Sequence, residues 1–213
     1  MKDNITLEIV SDVVCPWCVI GYKRVAQALA ELNLQEAAHI TWHPFELNPG
    51  MAPEGEEFYD HIHKKYGATP TDIQAMIKQL TDAGHEVGFT FDFFPGFTML
   101  NTEDLHILLD YAQKTGKQTA LQLRLFSAFF SERKNIADRQ VQTQELQAVG
   151  LNVDAALATL EDKAIRQHVQ EHQNQWKQRG VTAVPTMVFN EEITLVGAQP
   201  IDTYKQVLNK LRT

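Results

Sequence analysis

The chain has 213 residues, 44% of them hydrophobic and 22% charged. That balance excludes wholesale disorder, collagen-like repeats and a disulfide-stapled miniprotein, and bounds the chain to one large domain or two small interleaved ones. A formal net charge of −8, with Lys and Arg scattered through the chain, disfavours nonspecific nucleic-acid binding.

In chain order, residues 5–10 read as a short strand, with Leu7 and Ile9 alternating against Thr6 and Glu8. Helical spacing begins at Cys15-Pro16-Trp17-Cys18 and runs to about residue 34 through Ile20, Val25, Ala28, Leu29 and Leu32. Pro16 suits a first helical turn, where its missing N–H has no partner to lose. A second strand is predicted over 39–47, closed by Asn48-Pro49-Gly50. From there to about residue 179 the pattern is mainly helical, with helices over 71–83, 102–114, 119–131, 138–149, 152–160 and 162–178. The segment Phe89-Thr90-Phe91-Asp92-Phe93-Phe94-Pro95-Gly96-Phe97 breaks it and reads as irregular and extended. Strands return over 186–190 and 193–196 as a hairpin, and residues 201–211 form a last helix with Tyr204, Val207, Leu208 and Leu211 on one face. The order βαβ, helical block, ββα predicts an α/β thioredoxin-like fold with an all-helical insertion. Residues 1–48 and 180–213 would build the thioredoxin-like domain, and 49–179 the insertion.

No uncharged apolar run approaches the roughly 18–20 residues of a membrane span. The opening residues, Met1 to Val10, also lack the apolar stretch and cleavage site of a secretory signal. A cytoplasmic protein without a membrane partner is expected; a periplasmic chain stripped of its leader would read the same. Cys15 and Cys18 are its two cysteines, and in a reducing compartment such a pair points to redox chemistry or metal binding rather than to a structural bridge.

The pair follows a predicted strand and opens a predicted helix, where unsatisfied N–H groups and the positive end of the helix dipole favour a thiolate at Cys15. Only a thiolate attacks a disulfide. Cys18, one turn on and less exposed, can close the ring and release a mixed disulfide. Val184-Pro185-Thr186 precedes the third strand; a cis bond before Pro185 would leave a backbone edge for an extended substrate to pair with. Proline and tryptophan between the cysteines bring no cationic donor to the thiolate. The expected reduction potential is therefore below the about −120 mV of DsbA, nearer the roughly −270 mV of thioredoxin. Asp12, three residues before Cys15, is either a turn residue bonding local backbone or a group that opposes ionisation or relays a proton.

Six motifs carry a resemblance along nearly the whole chain. They are Ser11-Asp12-Val13-Val14-Cys15-Pro16-Trp17-Cys18, Pro44-Phe45-Glu46-Leu47-Asn48-Pro49, Asn101-Thr102, Leu125-Phe126-Ser127-Ala128-Phe129-Phe130, Val184-Pro185-Thr186 and Gly197-Ala198-Gln199-Pro200. In this order they resemble the FrnE-like branch of the DsbA family. The resemblance implies a thiol–disulfide oxidoreductase with Cys15 as nucleophile, Cys18 as resolving thiol and Pro185 as the cis-proline. Pro16, Trp17, Val184 and Pro185 would contact substrate. No bound cofactor or metal is implied; glutathione is a candidate co-substrate, and a disulfide-containing protein or small thiol the partner. Relatives include glutathione-dependent isomerases of small unsaturated compounds, the alternative reading, but those typically carry serine where this chain has Cys15.

Competing readings are weaker. Two cysteines are half of a structural zinc site, and only His39 and His43 stand near to complete it. His168-Val169-Gln170-Glu171-His172 matches a zinc-peptidase spacing, but its glutamine-rich surroundings read as a solvated helix. His61-Ile62-His63 alternates badly for a helix and reads as exposed. Trp42, Phe45, Phe91, Phe93, Phe94 and Phe97 either line a groove or pack the core, the second being favoured. Asn48, Asn101 and Thr102 are candidates for substrate contact, or else loop and cap residues, with Thr102 the N-cap of the helix that follows. Exposed apolar surface on the insertion would suit a homodimer.

Overall fold

A computed structural model describes residues 4–212. The amino-terminal reading and the outer bounds of the predicted thioredoxin-like segments rest partly on residues 1–3 and 213, which lie outside the described residues. Strand β1 (Ile5–Ser11) is central, parallel to β2 (Ala38–Pro44) and antiparallel to β5 (Thr186–Phe189), which pairs in turn with β6 (Ile193–Val196). The four-stranded order is β2-β1-β5-β6. Both of its faces are covered, Ile9 packing into the main core and Val10 into a second cluster with Phe45, Trp176, Val181 and Val188, which explains why Ile9, Val10 and Ser11 are all buried where a one-faced strand would alternate. Asn190 and Glu191 turn the β5–β6 hairpin with φ of 49° and 57°, the left-handed pair that a tight hairpin requires.

Helix α1 (Pro16–Glu31) starts with Cys15 at its N-cap and Pro16 in its first turn. It packs against α9 (Ile201–Leu211), the last helix of the chain. Between β2 and β5 run α2 (Phe58–Tyr66), α3 (Pro70–Glu86), α4 (Glu103–Lys114), α5 (Gln118–Phe130), α6 (Arg139–Ala148), α7 (Val153–Ala158) with a 3-10 turn at Thr159–Glu161, and α8 (Lys163–Gln178). A short ladder joins β3 (Glu56–Glu57) to β4 (Thr98–Met99) among these helices. Thr69 and Asp72 form a reciprocal capping box that fixes the start of α3. No helix of the described residues is long and apolar enough to cross a membrane.

Four expectations are corrected. The second strand stops at Pro44, short of residues 45–47, because the chain turns there to deliver Leu47 N–H to Asp12. His61-Ile62-His63 is helical, with His61 and Ile62 buried and His63 exposed; Glu57 caps α2 and Gly67 ends it in a left-handed conformation. Thr102 makes no side-chain cap bond at α4; Asn101 Oδ1 accepts from Glu103 N instead, at 3.0 Å. Helix α8 is solvated on one side only, since Val169, Gln173 and Trp176 face inward and are buried.

Gly21, in α1, is where this helix meets the Pro185 turn: a Cβ there would sit 3.1 Å from Pro185 Cγ and 3.2 Å from Met187 Cε. The glycine is a packing requirement, and Gly21→Val should force α1 away from the turn. The expected cost is about 1–3 kcal/mol of stability, with disulfide turnover falling further than the stability loss explains. Urea titration beside an insulin-reduction assay measures both effects.

Candidate active site

Two loops build the site. The turn after β1 ties Cys15 N–H to the Asp12 carbonyl at 3.1 Å, and Cys18 N–H to the Cys15 carbonyl at 3.1 Å opens the first turn of α1. Cys15 thus stands at the helix N-terminus with no side-chain cap bond of its own. Cys15 and Cys18 are free and lie 3.3 Å apart. Cys18 has no solvent exposure, and burial, followed by its hydrogen bond to the Cys15 sulfur, pushes its thiol pKa up. In this pair Cys18 holds its proton firmly.

The second loop comes from the other end of the chain. The Val184–Pro185 peptide is cis. Pro185 C=O accepts from Gly197 N at 2.7 Å, and Arg24 of α1 reaches the Ala198 carbonyl at 3.4 Å, so the Gly197-Ala198-Gln199-Pro200 motif anchors the turn to α1. Cys15 Sγ donates toward the Val184 carbonyl at 3.7 Å. Sequence-distant residues thereby meet at one sulfur.

Cys15 also opens onto a cavity of about 500 Å³. Pro16, Trp17 and Val184 join Cys15 on one side, and Phe58, Ile62, Met76, Leu80, Phe93 and Phe97 supply apolar wall from the helical region. Of the six aromatics in question, Phe93 and Phe97 therefore line the groove. Trp42 packs in the core against Tyr22 and Phe126, and Phe91 against Phe89 and Phe130. Phe45 sits in a separate cluster with Val10, Trp176, Val181 and Val188, while Phe94 lies beneath Arg133. Asn48 reaches the cavity. Asn101 does not: its amide donates to the Met51 carbonyl, at 2.9 Å. Thr102 is buried and absent from the cavity wall.

Asp12 is buried, and its Oδ2 accepts from Leu47 N at 2.8 Å, which joins the β1–α1 turn to the chain after β2. Its Oδ1 stands 3.4 Å from His106 Nε2, two buried atoms without a hydrogen bond. This is more than a local turn contact. Glu46 next door is pushed up by burial, against the pull of His106 and Gln173. Lys65, at the end of α2, shares the cavity wall with Cys15. No spacing in the sequence singles out Lys65 or His106, because each reaches the site only through helix packing. Among the described residues no group of three or more His, Cys, Asp or Glu is arranged to hold a metal ion. His43 Nδ1 instead faces His172 Nε2 at 3.0 Å.

The family description "DSBA-like thioredoxin domain" matches residues 6–209. The chain belongs to this family. YwbO of Bacillus subtilis (strain 168), itself uncharacterized, is 28% identical over 208 residues, spanning 97% of this chain and 96% of its own. The crystal structure of a probable DsbA oxidoreductase from Streptomyces coelicolor superposes with a TM-score of 0.90 at 27% identity, over 97% of this chain and 89% of that one. Two others share the fold alone. A 2-hydroxychromene-2-carboxylate isomerase has a TM-score of 0.71 and 15% identity, over 97% of this chain and 96% of that one. The cytosolic disulfide reductase DsbM from Pseudomonas aeruginosa, solved with GSH, has a TM-score of 0.65 and 20% identity, over 98% of this chain and 100% of that one.

Proposed function

We propose that this chain is a thiol–disulfide oxidoreductase of the FrnE-like branch working in the cytoplasm, with Cys15 as nucleophile and Cys18 as resolving thiol. The observation that carries the reading is the asymmetry of the pair. Cys15, itself only 4% exposed, lines the cavity from a helix N-terminus, whereas Cys18, at 0%, lies 3.3 Å away off the cavity wall with its proton held. The Cys15 thiolate attacks one sulfur of a substrate disulfide; a mixed disulfide forms and the other substrate sulfur leaves as a thiolate. Cys18 then passes its proton to the thiolate released in the first step and attacks the Cys15 sulfur. The internal disulfide forms, and the second substrate sulfur departs with the electron pair of the broken bond. Two thiols of glutathione or of another dithiol return the pair to its starting state. The edge beside Val184 and Pro185 would receive an extended substrate segment, with Pro16 and Trp17 on the opposite rim.

Cys18→Ser removes only the second step. Incubated with a disulfide substrate, this variant should accumulate a stable Cys15 mixed disulfide, read by intact mass before and after dithiothreitol, while turnover stops. Undiminished turnover without a trapped adduct would overturn the dithiol cycle. The aromatic cavity beside Cys15 favours one other reading, a glutathione-dependent isomerase acting on a small unsaturated compound, with Cys15 holding the glutathione thiol. Full activity of Cys18→Ser on such a compound is that reading's signature.

A further inference from the structure

The Pro16-Trp17 dipeptide brings no charge to Cys15, yet a cation stands on the same cavity wall. Lys65 lies in the last turn of α2, and its Nζ donates to the Leu47 carbonyl at 3.0 Å and to Asn48 Oδ1 at 2.6 Å. Both acceptors are neutral, and no ion pair among the described residues involves Lys65. An ammonium has three N–H donors; two go to these acceptors, and the Nζ also stands over the Tyr66 ring, 5.6 Å from its centroid. Leu47 links the opposed charges: its N–H goes to Asp12 Oδ2 and its C=O to Lys65. The titratable groups around Cys15 are Cys18 from α1 and, on the cavity wall, Lys65, Tyr66 and His61 from α2; Asp12 lies in the β1–α1 turn with its carboxylate on Leu47 N–H. Asp12 disfavours a second negative charge, and Lys65 is the counter-charge on this wall.

We propose that Lys65 is a positioning residue that stabilises the Cys15 thiolate through space, supplying from α2 the cation that the Cys-Pro-Trp-Cys sequence lacks. The inference rests on Cys15 reacting as a thiolate, the reading given above. The influence is mutual: burial draws the Lys65 ammonium down from the ordinary lysine range, and the Asp12 and Cys15 charges pull it back up. Lys65 is exposed, and its two acceptors from the loop after β2 are what hold the charge at the cavity wall.

The test is the pH profile of Cys15 alkylation by iodoacetamide, read by peptide mass mapping, in the native chain, K65M, K65R and K64M. Lys64 is exposed, as Lys65 is, but it is paired with Glu56 and is absent from the cavity wall. K65M should shift the alkylation midpoint to higher pH and slow the reaction about three- to fivefold at pH 6.5. K65R should restore it to within about twofold, and K64M should match the native chain. Added salt should narrow the gap between native and K65M proteins. An unchanged K65M profile overturns the proposal, as does a slowing equal at every pH or a failure of arginine to rescue. The readout needs no disulfide turnover, so a native chain inactive on disulfides but sensitive to K65M would sink the oxidoreductase reading and leave this one standing.

Discussion

Cys15→Ser should lower insulin reduction by at least about a thousandfold while leaving the folded state within roughly 1 kcal/mol of the native one. The reasoning starts from the nucleophile. A serine hydroxyl is not ionised near neutral pH and its oxygen is a poor partner for sulfur, so the first mixed disulfide cannot form. Cys18 cannot take over, because it has no solvent exposure and burial holds its proton. The two substitutions therefore differ in kind. Without Cys15 nothing is captured; without Cys18 the capture is permanent. Equal insulin-reduction rates for native and Cys15→Ser proteins would remove the assignment of Cys15 altogether. Retained thermal unfolding in the same preparation separates lost chemistry from lost structure.

What could be read from the chain beforehand follows the range of the interactions. The β1 strand, the Cys-Pro-Trp-Cys turn and α1 are set by alternation, a proline at a first helical turn and a following apolar stripe, all within some thirty residues of sequence. The β5–β6 hairpin and α9 were legible for the same reason. Helix α2 was not: it has nine residues, its cap is Glu57, and its apolar positions are few. The Lys64-Lys65 pair ahead of Gly67 was a usable stop signal, but nothing local says that its last turn reaches Cys15. Likewise the buried face of α8 hides behind a glutamine-rich composition. Gln173 is inside because Glu46 takes up its amide on both ends, accepting at Oε1 and donating from its backbone N–H. A polar side chain paired across two elements is invisible to a hydrophobicity pattern.

The same helix sets the second large effect, a loss of stability on acidification that begins above the carboxylate range. His43, on β2, is buried with its ring 4.7 Å from that of Trp176, and its Nδ1 faces His172 Nε2. Glu8 Oε1 lies 3.4 Å from its Nε2 without a hydrogen bond, so no compensating partner greets a proton there. Burial, then the His172 and Arg179 charges, lower the His43 pKa to about 3 from an ordinary 6.5. His172 is lowered too, first by burial. The sign follows from proton counting. Above pH 6.5 the imidazole is neutral whether the chain is folded or not, and no stability is lost. Between 6.5 and about 3 the unfolded chain takes up a proton that the folded chain refuses, so acid favours unfolding throughout that window. His43 alone should remove about 1 kcal/mol between pH 7 and pH 5.5 and about 3 kcal/mol by pH 4. Glu132, held down to about 2 by Arg124 and Lys134, adds its loss only as pH falls from the ordinary 4.5 toward 2, and its exposure keeps the contribution small. Glu8 and Glu46, both pushed up by burial, act in the opposite sense because the folded chain takes up their protons first, so His43 is isolated by comparison with a variant and not by the pH window alone. Urea unfolding at pH 7 and pH 5.5 should show the native chain losing about 1 kcal/mol more than His43→Gln does; identical losses in the two proteins would mean that His43 takes its proton without opening the β2–α8 contact.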